Sequence, residues 1–174
     1  HQLIGSGIRG QGGCVFHYTS ANLLKWDYVG VALQSNDLPN AGHNSGTMWE
    51  CPDFFQIKVE GTNETKWVLI QNLNPGGPNG GSGVQYFIGD FDGKTFTLDT
   101  EFAKKVNTEK AVWLDYGKDN YAGVTWSNIP KSDGRRLLIG WMSNWDYAQV
   151  VPTTTWRSSM TIPREIQLIK KGSD

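Results

Sequence analysis

Leu69-Ile70-Gln71-Asn72 is one of three closely similar short runs, the others being Leu3-Ile4-Gly5-Ser6 and Leu138-Ile139-Gly140-Trp141; their leading leucines fall 66 and 69 positions apart. A second element keeps nearly the same step. Asn22-Leu23-Leu24-Lys25-Trp26 and Asp92-Gly93-Lys94-Thr95-Phe96 each place a turn residue four positions before an aromatic, 70 positions apart. A period just under 70 residues holds four short strands and their turns, which is one blade of a β-propeller. About two and a half such units fit in 174 residues. A β-sandwich with strands of similar length is the competing architecture.

The rest of the chain is consistent with an all-β protein. Short β-rich runs bounded by glycine, asparagine and aspartate predict strands over Gln2–Gly5, Cys14–Thr19, Phe55–Val59, Trp67–Gln71, Val84–Gly89, Thr95–Leu98, Gly123–Trp126, Leu137–Trp141 and Met160–Ile162. Hardly any stretch reads as an amphipathic helix, and none is placed. The 21 glycines suit a turn-rich fold, and the eight tryptophans suit either core packing or the apolar faces of sugar rings.

Sixteen basic and seventeen acidic residues give a net charge of −1, with no cationic run to meet a phosphate backbone or an anionic bilayer. Neither nucleic acid nor membrane is an expected partner. Cys14 and Cys51 are too few and too far apart for a disulfide framework or zinc site, and two buried free thiols are expected. His1, His17 and His43 are scattered, so no metal is expected. The Asn63-Glu64-Thr65 sequon matters only in a glycosylating pathway.

Within Met48-Trp49-Glu50-Cys51-Pro52-Asp53-Phe54-Phe55 a carboxylate stands among apolar neighbours. An acid that must hold a proton near neutral pH needs such walls, because they disfavour its charged form. A packed structural acid is the alternative reading.

Several motifs then occur in one order. They are Trp49-Glu50-Cys51-Pro52-Asp53, Val84-Gln85-Tyr86-Phe87-Ile88-Gly89-Asp90-Phe91-Asp92-Gly93, Leu114-Asp115-Tyr116-Gly117-Lys118-Asp119-Asn120-Tyr121-Ala122-Gly123, and Gly140-Trp141-Met142-Ser143-Asn144-Trp145, which continues through Val151-Pro152-Thr153 to Trp156–Glu165. This set resembles glycoside hydrolase family 32, the β-fructosidases that include invertases, levanases and exo-inulinases. The resemblance implies a five-bladed propeller with a funnel-shaped sugar site, and a retaining mechanism in which one carboxylate attacks and a second acid protonates the leaving oxygen. Glu50 matches the acid/base glutamate.

By the same resemblance Trp141 and Trp145 line the fructose pocket, with packing as the alternative for each. Asn144 either bonds sugar hydroxyls or caps a turn. Asp53 matches a variable position linked to substrate preference, and it either accepts a supporting hydrogen bond or repels the charge of Glu50. Cys51 either sits against the Glu50 carboxyl and tunes it or is a buried thiol, and Pro52 stiffens the exit of the strand. Gln85, Asp119 and Arg164 read as polar support for loops.

The departures define what is expected to lie elsewhere. Neither the Asn-Asp-Pro-Asn-Gly type motif of the family's nucleophile nor the Arg-Asp-Pro motif of its transition-state-stabilising aspartate occurs in the 174 residues. Asn36-Asp37-Leu38-Pro39-Asn40 is superficially similar to the first, but it carries an inserted leucine and ends only ten residues before Glu50, so the nucleophile role is not carried onto Asp37. With His1 opening the sequence in place of methionine, residues 1–174 are expected to be a partial propeller lacking the first blade and the start of the second. Ile166–Asp174 would stop before the family's accessory β-sandwich. Such a piece is expected to be inactive alone and to self-associate through open edges.

The activity implied is release of fructose from sucrose, inulin or levan without a cofactor. A non-catalytic fructan-binding protein and a fructosyltransferase are the alternatives. A secreted or periplasmic location accompanies the resemblance.

Overall fold

The computed structural model describes residues 1–39, 46, 48–109 and 111–171; His43, Asn40 and the last three positions of the 166–174 tail lie outside them. Three antiparallel meanders follow one another along the chain. The first joins β1 (Gln2–Ile8), β2 (Gly12–Thr19) and β3 (Asp27–Gln34) in that order. The second joins β4 (Met48–Lys58), β5 (Thr65–Asn74), β6 (Gly83–Phe91) and β7 (Phe96–Leu98), and is followed by α1 (Thr100–Glu109). The third joins β8 (Tyr121–Thr125), β9 (Leu137–Trp141) and β10 (Arg164–Glu165).

The sequence repeat maps onto this order. Leu69 and Leu138 lie in β5 and β9, the strands that follow the opening strand of their sheets, and Leu3 lies in β1. The turn repeat has one physical cause in both copies. The Asn22 side chain accepts the N–H groups of Leu24 and Lys25 at 2.9 and 3.0 Å, and that of Asp92 accepts those of Lys94 and Thr95 at 2.8 and 2.7 Å. These are Asx turns, which reverse the chain between β2 and β3 and between β6 and β7.

The second sheet is buried on both faces. Trp49, Leu69, Leu73 and Phe87 join Val15, Ala32 and Leu33 of the first sheet in one core. Phe55, Val68, Ile70 and Val84 join Tyr121 and Leu138 of the third sheet in another. Sheets stacked face to face by their apolar sides are the propeller arrangement, and the sandwich alternative has no counterpart in this three-layer order.

Four sequence expectations need correction. β4 begins at Met48 rather than Phe55, because side chains from the neighbouring strand sustain pairing across an irregularity described below. β3 was not expected; two register shifts against β2 break its alternation, leaving Ala32 and Leu33 buried side by side. Helix α1 has no counterpart among the elements expected from the sequence, since only Phe102 and Val106 form its buried stripe; the Asp99 carboxylate caps it by accepting the N–H groups of Glu101 and Phe102 at 3.0 and 3.2 Å. Met160 makes a single bridge to Trp141, and regular pairing falls instead on Arg164–Glu165.

Candidate active site

Glu50 stands beside a break in its own strand. Glu50 pairs with Asn72 and Asp53 with Ile70, so Cys51 and Pro52 together oppose Gln71 alone. This is a β-bulge, and Cys51 takes the left-handed conformation at φ 46°. Pro52 belongs here for a physical reason: it has no N–H to give the ladder, and a bulge is a place within a sheet that tolerates it. It therefore lies inside the strand and not at its exit, as the sequence suggested.

The extra residue changes which side chains share a face. Glu50 and Asp53 pair with Asn72 and Ile70, which are two apart and so point the same way. Trp49 points to the opposite side, fully buried and stacked with Phe87 at 5.8 Å between ring centroids. The Gln71 amide donates to the Glu50 carbonyl at 2.9 Å, and the Asn72 amide donates to the Cys51 carbonyl at 3.0 Å. These side chains replace the ladder bonds that the bulge removes.

The next sheet repeats the device. Tyr121 pairs with Trp141 and Val124 with Ile139, so Ala122 and Gly123 oppose Gly140 alone, and Ala122 is left-handed at φ 50°. Tyr121 thus occupies the place in β8 that Glu50 has in β4. The two meet: the Tyr121 hydroxyl donates to Oε2 of Glu50 at 2.5 Å. The Asn72 side chain joins both bulges, since its oxygen also accepts the Gly123 N–H at 3.3 Å. Asp53 holds the other end of β8 by accepting the Thr125 N–H at 2.6 Å.

Burial pushes the Tyr121 phenol well above its ordinary range, with further contributions from the Glu50 carboxylate that accepts its proton and from Cys51. It stays a donor at neutral pH. Cys51 is exposed, not buried as expected, because the left-handed turn carries its side chain out of the sheet; Cys14 is buried. Packing along one side and the Glu50 charge raise the Cys51 thiol, so it is not a reactive thiolate.

An aromatic wall continues from Tyr121. Its ring lies 6.5 Å from that of Trp141, and Trp141 lies 5.1 Å from Trp145, which is 45% exposed. Glu50, Tyr121, Trp141 and Trp145 are therefore contiguous. Asn144 is not a free partner for a sugar. It is 1% exposed, donates to the carbonyls of Gly80, Ser82 and Lys118, and accepts the N–H groups of Ser82 and Asp146. Its hydrogen-bonding capacity is spent on backbone.

Of the remaining polar residues singled out in the sequence, Asp119 and Arg164 make side-chain contacts with loop segments, and Gln85 is placed by backbone pairing. The Tyr147 hydroxyl donates to Asp119, Arg164 meets Asp115 at 3.3 Å, and the backbone of buried Gln85 forms an antiparallel β-bridge with Trp113. Asp37 lies in a 3₁₀ turn, Ser35–Asp37. His17 is buried and pairs with His1 at 2.8 Å, and among the described residues no three of His, Cys, Asp and Glu form a group that could hold a metal ion. Tyr121 is the site residue that sequence reasoning passed over, although its step of 71 from Glu50 matches the repeat.

Stacked meanders with an acid and an aromatic wall at one end of their strands define this chain as part of a propeller with a candidate carboxylate site. The model of the glycosyl hydrolases family 32 N-terminal domain matches residues 2–174. The chain belongs to glycoside hydrolase family 32. It is 47% identical over 152 residues to a levanase of Bacillus subtilis (strain 168), covering 87% of this chain and 21% of that protein. It is 42% identical over 158 residues to an extracellular exo-inulinase of Aspergillus awamori, covering 90% and 28%. The crystal structure of exo-inulinase from Aspergillus awamori superposes with a TM-score of 0.74 at 38% identity, covering 93% of this chain and 29% of that one. A fructofuranosidase variant from Schwanniomyces occidentalis complexed with fructosylnystose gives a TM-score of 0.72 at 34% identity, covering 90% and 27%. The chain thus spans less than a third of the length of these relatives.

Proposed function

We propose that this chain is part of the catalytic propeller of a retaining β-fructosidase, with Glu50 as general acid/base. The observation that carries the reading is the bulge at the start of β4, which sets Glu50 against the Tyr121 hydroxyl and next to the Trp141–Trp145 wall. Because Oε2 accepts the Tyr121 proton, the transferable proton of the acid form sits on Oε1. From there it goes to the glycosidic oxygen as a nucleophilic carboxylate attacks the anomeric carbon. Glu50, then ionised, takes a proton from the water that releases fructose.

Trp141 and Trp145 wall the fructosyl pocket in this reading. Asp53 and Cys51 tune the site, Asp53 through its hold on β8 and Cys51 through its place beside Glu50. Residues 1–174 supply one of the three carboxylates, and the nucleophile and the stabilising aspartate come from outside them. The first blade and the start of the second are assigned to that other sequence. The isolated chain is accordingly expected to release no fructose.

The test is fructose release from sucrose, inulin and levan by the full-length gene product and its Glu50→Gln variant. Glu50→Gln is expected to bind substrate and lose about 10²–10⁴-fold in kcat. An undiminished rate removes Glu50 from the mechanism. A full-length product that binds fructans but releases nothing supports a binding protein instead, and fructosylated products at high sucrose support transfer.

A further inference from the structure

Three loops meet around Trp145, and two side chains tie them. The glycine-rich connection between β5 and β6 carries Asn79, Gly80 and Ser82. The segment before β8 carries Tyr116 and Lys118, and the segment after β9 carries Asn144, Trp145 and Asp146. Lys118 Nζ donates to the Asn79 carbonyl at 2.7 Å and to Oδ2 of Asp146 at 2.7 Å, with the Gly80 carbonyl at 3.5 Å. The Lys118 carbonyl in turn accepts from Asn144 Nδ2 at 2.6 Å. The Asn79 amide donates to the Tyr116 carbonyl at 2.6 Å.

Trp145 is held by this arrangement on both sides. Its backbone N–H donates to Oγ of Ser82 at 3.2 Å, and Asn144 Oδ1 accepts the backbone N–H groups of Ser82 and Asp146. A tryptophan that is nearly half exposed needs such an external frame, because solvent does not fix its position. A glycine-rich loop has little conformational preference of its own, so side-chain contacts from other loops must supply the order. The Lys118–Asp146 pair alone would contribute little at the surface. Its two backbone carbonyl partners make Lys118 a clip.

We infer that Lys118 and Asn144 form a positioning latch that fixes Trp145, and through it the affinity of the proposed fructosyl pocket for its substrate. This rests on the β-fructosidase reading. Lys118 touches no reacting group and acts through Trp145.

The test uses the full-length gene product with Lys118→Met, Lys118→Arg, Trp145→Phe and the Lys118→Met/Trp145→Phe double variant. Lys118→Met is expected to raise KM for sucrose and inulin by about three- to tenfold with kcat within about twofold of the parent. Lys118→Arg, which keeps charge and donors, recovers most of that loss. In the Trp145→Phe background the further rise is expected to vanish, since the latch acts through that ring. An unchanged KM in Lys118→Met, or a double variant in which the two effects simply add, overturns the latch.

A second measurement does not depend on turnover. With 5-fluorotryptophan incorporated, the ¹⁹F signal that disappears in Trp145→Phe is that of Trp145. Lys118→Met is expected to shift or broaden it and Lys118→Arg to restore it. A signal unmoved by Lys118→Met refutes the latch even if the full-length product proves inactive on every fructoside, an outcome that would sink the β-fructosidase reading alone.

Discussion

Tyr121 shows how one residue ties the site to the stability of the fold. It is 3% exposed, and its hydroxyl meets the Glu50 carboxylate. Hydrogen bonds to charged groups contribute about 1.5–3 kcal/mol, so Tyr121→Phe should cost roughly that at pH 8 in urea unfolding. The alkaline limb adds a second signature. An unfolded tyrosine ionises near pH ~10, whereas folded Tyr121 keeps its proton to higher pH. Its contribution is therefore complete below about pH 10 and is lost as pH rises beyond it, because the folded state then binds more protons than the unfolded state. Tyr121→Phe should flatten the fall in stability above about pH 10. Tyr86 and Tyr147, raised by burial and by the bond to Asp119 respectively, leave part of the slope. An equal slope in parent and variant would contradict this account.

At the scale of elements, β4 puts Trp49 in the core and Glu50 in the candidate site by ordinary alternation, and its bulge brings Asp53 back onto the face of Glu50. Its position depends on close contact with the first sheet. A Cβ on Gly13 would lie 2.0 Å from Trp49 Cδ1, and one on Gly5 would lie 2.5 Å from the Trp49 carbonyl oxygen. Trp49 is fully buried and stacked, so it has nowhere to move. Gly13→Ala is expected to destabilise by about 3 kcal/mol, near the upper end for overpacking a core. In the full-length product it should also displace Glu50 and lower kcat. A change below about 0.5 kcal/mol, the range of an indifferent surface position, would mean that Trp49 does not fix β4 in this way.

The sequence discloses these elements unevenly, for identifiable reasons. The Asx turns at Asn22 and Asp92 were readable because their chemistry is local. Helix α1 carries readable signals too, in the Asp99 cap and in Phe102 and Val106 four apart, but a stripe that narrow does not stand out from a β-rich background. β3 escaped because register shifts against β2 break the period of two by which strands are recognised.

At the scale of the molecule, both end sheets present apolar residues to solvent. Ile4, Tyr28 and Val31 of the first sheet are 41%, 56% and 38% exposed, and pairing through Phe16 and Tyr18 puts them on one face. Val124, Trp126 and Met160 beside the third sheet are 46%, 44% and 57% exposed. Contiguous apolar faces of this kind drive association. The 174-residue chain is expected to sediment as concentration-dependent oligomers, and replacing Ile4 and Tyr28 with lysine should shift it toward monomer. A parent chain that stays monomeric at high concentration would refute this.

By itself the sequence determined the blade-length repeat and the turns that recur with it, because each copy is a short local run, and it pointed to the candidate acid through motifs that keep one order along the chain. The tertiary structure decided the rest: which side chain meets Glu50, where Cys51 points and what Asn144 does. For Asn144 the physical reason is the meeting of three loops distant in sequence, and for Glu50 and Cys51 it is the pair of bulges. Each inserts one residue into a strand and reassigns every side chain beyond it, and each is held by bonds from another strand or sheet, as Asn72 reaches both Cys51 and Gly123. Tyr121 and Glu50, 71 positions apart, become partners only when two consecutive blades carry the same irregularity at the same height.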